Sequence, residues 1–400
     1  VPNSSASRRP GEIHLAVALT GAGAHPAAWR VDGAHPRDLL SARYWADLVS
    51  TAEAGLLDFV SFGDSFLLQG DSKKSGTRVD RIAGQLDSVL VASRIAPLAR
   101  RIGFIPTAIV THTEPFHLSK AIATLDYVSA GRAGVELSVS LDPHEAALFG
   151  RRDVAMFDVD AAHREAADYA EVLALLWDSW EDDAEIRDIA GGRFIDRDKL
   201  HYIDFVGDHF SVRGPSITPR PPQGHPIIAA SGGDVAALRL IADVADVGFI
   251  APPDVAAGAA TVTEINRFRS AAGRSDSPQH TFVDLVVVLG DSTSHAVQRR
   301  GQLDELDGEE FTPAAPIVTG SAAGLADAIE EWTSLDGISG VRLIPATHAV
   351  DLPRISAELV PELQRRRLFR TTYAGSTLRD RLGLARPANR FATRREVSAS

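Results

Sequence analysis

The chain has 400 residues, of which 44% are hydrophobic and 24% charged, with 32 Gly and 22 Pro. That mix excludes a disordered, collagen-like or coiled-coil protein and suits one large α/β domain or two to three ordinary ones. The 53 acidic residues outweigh the 41 basic ones, and a formal net charge of −12 sets nucleic acid aside as a main partner.

After a polar lead, residues 13–19 predict a first strand. The pair Arg8-Arg9 ahead of it superficially suggests a twin-arginine export signal. Glu12 and His14 interrupt the apolar run, so a cytoplasmic location is the expectation. A helix over 44–54 follows, then a strand over 58–62 and a polar, Gly-rich insertion over 64–85. The rhythm continues with a helix over 86–99, a strand over 102–106, and a helix over 116–129 opened by Glu114-Pro115. A strand over 134–140 precedes a helix over 163–177, where Ala166, Tyr169, Leu173 and Leu176 share one face.

Residues 178–224 break the pattern, and HYIDFVG with HFSVRG inside them reads as a hairpin. Strands then resume over 226–230, 246–250, 281–289 and 340–344, with helices over 235–245, 255–272, 325–333 and 355–369. Residues 301–320 read as another insertion, and about 374–400 as a polar tail.

Eight strand-helix alternations without an internal repeat predict a closed (β/α)₈ TIM barrel, a single domain over 1–400 with long insertions at the C-terminal rim of the strands. Such a barrel carries its active site at that rim, which points to residues 21–30, 63–66, 107–112, 140–144 and 231–234. No run reaches the eighteen apolar residues of a membrane span.

Much chemistry is missing. There is no Cys, which excludes disulfides, thiolate metal sites and cysteine nucleophiles. Gly21-Ala22-Gly23 is followed by Pro26, so the dinucleotide fingerprint fails, and no Lys follows a Gly as a P-loop requires. Neither a nucleophile elbow nor a zincin motif occurs, and His112, Glu114 and His117 offer too little for a metal site, so no metal is expected.

What remains are rim candidates. Ser231-Gly232-Gly233 between a strand and a helix could let backbone N–H groups cradle an anion, or be an ordinary turn with Asp234 near the helix start. Asp64 could accept from a cofactor ring or cap a helix. Thr107 could donate a hydroxyl to a ring or sit in a turn. His25, Trp29 and His112 are polar aromatics placed to line a substrate pocket or to pack within loops.

Several segments in order resemble the luciferase-like flavin monooxygenases, in the branch of the nitrilotriacetate, pristinamycin and dibenzothiophene-sulfone enzymes. They are GAHPAAWR (23–30), YWADLVSTAEAGLLDFVSFGDS (44–65), EPFHLSKAIATLDYVSAGRAG (114–134), LLWDSWEDDA (175–184), FVGDHFSVRGP (205–215) and the C-terminal run around YAGSTLRDRLGL (359–390). The resemblance implies a TIM barrel that binds reduced FMN supplied by a separate NAD(P)H-dependent flavin reductase. It implies reaction with O₂ to oxygenate a small organic substrate, and a homodimer or homotetramer.

The family pattern matches Asp64 and Thr107 to flavin contacts. It is less faithful at the phosphate end, where Ala162-His163 replaces Arg-Tyr, leaving His163 and Arg164 as candidate donors beside Ser231, Gly232 and Gly233. Val135-Glu136 stands where the family has Trp-Asn, and a carboxylate there would repel an anionic flavin if it faced the site. Glu136 therefore joins His25, Trp29 and His112 as a residue of the substrate side. These departures keep two alternatives open: a deazaflavin-dependent oxidoreductase on the same barrel, or a non-catalytic flavin-binding homologue.

Overall fold

The computed structural model describes residues 13–67, 71–72, 76–151 and 158–392. Eight strands close a parallel ring: β1 (His14–Leu19), β2 (Phe59–Phe62), β3 (Gly103–Ile109), β4 (Gly134–Ser138), β5 (Ile227–Ser231), β6 (Val247–Ile250), β7 (His280–Leu289) and β8 (Ile338–Pro345). Neighbours pair in chain order, β8 returns to β1, and β6 bonds β7 over Val247↔His280 to Ile250↔Val283, so no edge is left open. The expected (β/α)₈ barrel is thus the architecture.

The strands are short apolar runs because one face meets the barrel lumen and the other meets helices. The helices that matter for the mouth are α1 (Ala42–Ala54), α2 (Ser88–Ile95), α3 (Pro115–Val128), α4 (Pro143–Phe149), α5 (Val159–Asp178) and α6 (Val235–Val244). Their starts are chemically marked. Ser41, Asp87, Asp142, Asp158 and Asp234 each accept a backbone N–H from the first turn, and Pro115 occupies the start of α3 behind Glu114. The predicted face of α5, Ala166, Tyr169, Leu173 and Leu176, is buried as a set.

Inside the ring the side chains form layers. Ala16, Phe59, Ile105, Ile227, Ala229, Val247, Phe249 and Phe282 make an apolar plug, with the Phe59 and Phe282 rings 5.4 Å apart. Two residues further along the same strands, toward the mouth, the inward positions turn polar: Ser61 after Phe59, Thr107 after Ile105, Ser231 after Ala229 and Asp284 after Phe282.

Four readings of the sequence are corrected. Residues 301–320 are not a plain insertion: α7 (Val255–Ala271) is followed by α8 (Thr293–Asp307), and Ile317–Gly320 pairs with the end of β7 outside the ring. The weak apolar patterning of α8 hid it. The strand read over 102–106 runs on to Ile109. Pro106 does not end it because β2 stops opposite that residue, at Phe62. The helix read over 355–369 is, after α9 (Ala322–Thr333), a sequence of α10 (His348–Arg354), a wide turn over Ile355–Leu359 and α11 (Val360–Arg365). Pro353 and Pro361 each remove an amide donor there.

The segment 374–400, read as a polar tail, carries α12 (Leu378–Arg381). Leu378, Leu382 and Leu384 pack into the base of the barrel plug. Arg379 donates to His225 O and to Asp246, and Arg381 donates to Asp58 O. The charged residues of this run hold it down while its leucines fill the base. The hairpin read in 178–224 is present, with Phe205–Val206 antiparallel to Ser211–Val212.

Candidate active site

The polar layer under the mouth is built around Arg342 of β8. Its Nε and Nη2 donate to the two oxygens of Asp284 at 2.7 Å each, a bidentate fork, and its Nη1 donates to Glu136 at 2.7 Å. The guanidinium carbon lies 3.6 Å from the centroid of the Phe249 ring beneath it. All three charged groups are buried. Burial pushes the Asp284 carboxyl up, opposed by the Arg342 charge. Burial alone would lower Arg342, but Asp284 and Glu136 hold it above its ordinary value. Thr107 Oγ1 reaches the same Glu136 oxygen at 3.5 Å, since Thr107 and Glu136 are register partners on β3 and β4. The carboxylate at position 136 is therefore paired with Arg342, which it shares with Asp284.

Asp64 follows β2 and works as a local tie. Its Oδ1 accepts from Ser65 N and Gln85 Nε2, and its Oδ2 from Ser88 N at the start of α2. Burial raises its pKa, against these hydrogen bonds. Ser88 Oγ in turn donates to the Thr107 carbonyl at 2.6 Å, so Asp64 and Thr107 belong to one hydrogen-bonded corner. Glu145 of α4 joins it: its Oε1 accepts from Ser65 Oγ at 3.3 Å and Phe66 N at 3.1 Å. Beside this corner lies a concave space of about 470 Å³ over the ends of β2, β3 and β4, walled by Asp64, Ser138, Ser140, Asp142 and Glu145. His112 stacks on Phe149 at 5.1 Å, with Phe66 against its edge, and so packs the outer side of α4.

At the end of β5 the chain turns through Ser231, Gly232 and Gly233 into α6. Gly232 has φ +147°, and a Cβ there would sit 2.4 Å from Ala237 Cβ, whereas a Cβ on Gly233 would meet only open space. The N–H groups ahead of the first helical bond of α6 lack intrahelical acceptors, and Asp234 takes only that of Ala237. This is an anion cradle in form. His163 lies in the second turn of α5. Its Nδ1–H donates to Val159 O at 2.8 Å, so Nε2 can donate to a phosphate only when the ring is protonated. Arg164 beside it is exposed and Ala162 buried.

His25 and Trp29 fasten the rim. Ala27 N–H donates to His25 Nδ1, so His25 Nε2–H donates to Asp304 of α8 at 3.1 Å; burial lowers its pKa. Trp29 Nε1 donates to Asp80 O in the insertion after β2. Arg81 completes the belt through Asp307, with contacts of 3.1 and 2.6 Å. The structure therefore gathers Thr107 with Glu136 and Asp64 with the α4 wall. It places Ser231–Gly233 at the end of β5, and His25 and Trp29 in the belt. Reading the sequence missed Arg342, Asp284, Ser61 and Glu145. A lone Asp in TFVDLVVVL and a lone Arg in GVRLIP were the available signals, since opposite charges in apolar strands imply partners across the lumen.

A family model described as luciferase-like monooxygenase matches residues 21–335. The chain belongs to the luciferase-like monooxygenase family. Nitrilotriacetate monooxygenase component A from Aminobacter aminovorans is 30% identical, over 95% of this chain and 98% of its own length. Dibenzothiophene-sulfone monooxygenase from Rhodococcus erythropolis is 28% identical over 90% and 93%. Among solved structures, DmoA from Hyphomicrobium sulfonivorans superposes with a TM-score of 0.85 at 23% identity, covering 96% of each chain. A riboflavin lyase solved with modified FMN and riboflavin gives 0.82 at 22%, covering 93% and 96%. The resemblance read from the sequence motifs is thereby established, and this luciferase-like protein is an oxidoreductase of the monooxygenase class. Among its described residues no helix is long and apolar enough to cross a membrane.

Proposed function

We propose that the chain is the oxygenase of a two-component system: it takes reduced FMN from a separate NAD(P)H-dependent reductase and uses O₂ to oxygenate a small organic molecule. The observation that carries this is the Gly232 turn, whose backbone closes on Ala237 so tightly that only glycine leaves the cradle open. The donors around the mouth suit a phosphorylated, uracil-edged ring. Backbone N–H groups from Gly233 onward, that of Gly232 being given to Phe249 O, and the His163 ring would take the phosphate. The Thr107 hydroxyl would meet the ring, and Asp64 would hold the β2 and α2 ends in place beneath it. Arg342 supports the same reading by pairing with Glu136, which lessens the repulsion expected of a bare carboxylate under an anionic flavin.

When bound, reduced FMN supplies the electrons that activate O₂. The residues of this chain bind and orient it, and the belt of Arg81, Asp307, His25 and Trp29 holds the rim loops against water. No side chain is assigned as acid or base.

Anaerobic titration with reduced FMN and, separately, with a reduced deazaflavin coenzyme tests the proposal, followed by admission of oxygen. Tight FMN binding with oxygen uptake is expected. A preference for the deazaflavin without oxygen uptake would favour hydride transfer, and binding of neither would end the enzymatic reading of this site. His163→Ala is expected to weaken reduced FMN by about 1–3 kcal/mol, the size of a hydrogen bond to a charged group.

A further inference from the structure

Glu145 is 5% exposed, yet only one of its two oxygens is used. Oε1 is fixed by Ser65 Oγ and Phe66 N, which pins α4 to the loop after β2. Oε2 is buried and receives no hydrogen bond. A buried acceptor left without a donor is costly, so each one in a native fold calls for an explanation, of which a ligand is one. Asp64, on the same cavity wall, is already engaged through both oxygens, by Ser65, Gln85 and Ser88, whereas Glu145 keeps one oxygen wholly unengaged. Glu145 is thus a rigidly held acceptor at the wall of the space over β2, β3 and β4.

The two redox states of a flavin ring differ in what they offer an acceptor. Oxidised isoalloxazine presents lone pairs at N1 and N5, and its N3–H is the same in both states. Reduction places a hydrogen on N5. At N5 itself a fixed carboxylate oxygen therefore meets a donor in the reduced ring and a lone pair in the oxidised one, so this contact favours the reduced form whatever the charge carried elsewhere on the ring.

We propose that Glu145 Oε2 accepts the N–H that the flavin gains on reduction, and that this contact makes the site select reduced over oxidised FMN. The inference rests on FMN being the occupant, as proposed above. It assigns Glu145 a binding role that lets a diffusing cofactor enter reduced and leave oxidised.

The test is Glu145→Gln. The amide keeps an oxygen for Ser65 and Phe66 and puts an NH₂ where Oε2 stands, turning acceptor into donor at nearly constant volume. Dissociation constants for reduced FMN (anaerobic) and oxidised FMN are measured for both proteins by flavin fluorescence. Thermal unfolding and Glu145→Ala, which removes the acceptor without adding a donor, serve as controls of folding. The wild type is expected to prefer reduced FMN, and in Glu145→Gln the ratio of oxidised to reduced dissociation constants is expected to fall at least about tenfold, with Glu145→Ala between. An unchanged ratio with both forms bound overturns the role of Glu145 and leaves the cofactor reading standing. Failure of the wild type to bind either form overturns both.

Discussion

The cluster beneath the mouth makes a quantitative prediction. Arg342→Met removes a guanidinium that donates three hydrogen bonds of 2.7 Å to two buried carboxylates and rests 3.6 Å from the Phe249 ring. Stripping the partner from a buried ion pair costs about 3–5 kcal/mol, because the remaining charge is left without compensation. Here two carboxylates are stranded, and the lost contact with Phe249 adds up to about 2 kcal/mol. The expected loss is therefore about 3–7 kcal/mol, against a whole-domain stability of about 5–15 kcal/mol.

The deficit also depends on pH in a defined direction. Stranded carboxylates escape their charge by binding protons, so the deficit is largest near pH 8 and shrinks toward about pH 5. Urea unfolding of wild type and variant across that range measures it. The triple variant Glu136→Gln, Asp284→Asn, Arg342→Met, which removes all three charges together, is expected to regain at least half of the loss. A single variant within about 0.5 kcal/mol of wild type, or a deficit that does not change with pH, would refute the idea that Arg342 holds the two lumen carboxylates.

Three further outcomes follow from other parts of the molecule. Burial lowers the His348 pKa to about 3 from an ordinary 6.5. Below 6.5 the unfolded chain gains a proton that the folded chain refuses, so stability falls by up to about 1.4 kcal/mol per pH unit as the pH drops. His25 shifts in the same direction, and denaturation midpoints for His348→Gln should show a shallower acid slope than wild type. Gly232→Ala forces a Cβ to 2.4 Å from Ala237 at φ +147°, and is expected to weaken reduced-FMN binding at least about tenfold in a fluorescence titration, at a stability cost of about 1–3 kcal/mol. Leu378→Ala empties a fully buried position at the barrel base and should cost about 2–5 kcal/mol in urea unfolding, with reduced-FMN affinity unchanged because the mouth lies at the opposite end.

The barrel was legible because parallel strands covered on both faces read as short apolar runs, and their spacing with amphipathic helices admits few other arrangements. Boundaries were lost where local chemistry misled. The strand read over 102–106 continues past Pro106, opposite which β2 ends, and α8 carries too few buried residues to show a helical period. The candidate residues were legible where they sit at or just past a strand's end, as with Ser231 and Asp64. It was opaque across the lumen. Glu136 read as a repulsive carboxylate because its partner lies on β8, 206 positions away, and no local pattern joins them. Glu145 was missed for a related reason. Its meaning rests on which of its two oxygens has a partner, and that is a property of packing.

The base of the barrel has a consequence for how the chain reaches this state. Leu378, Leu382 and Leu384 come after β8 in sequence, so the apolar plug around Phe59, Ile105 and Phe282 stays open below until all eight strands and the α12 turn have left the ribosome. Chains stalled or clipped before α12 would carry an uncovered hydrophobic socket, a surface that chaperones and proteases recognise. Closure of the lumen in this way waits on residues 378–384, and a break just ahead of them would be registered at the heart of the fold.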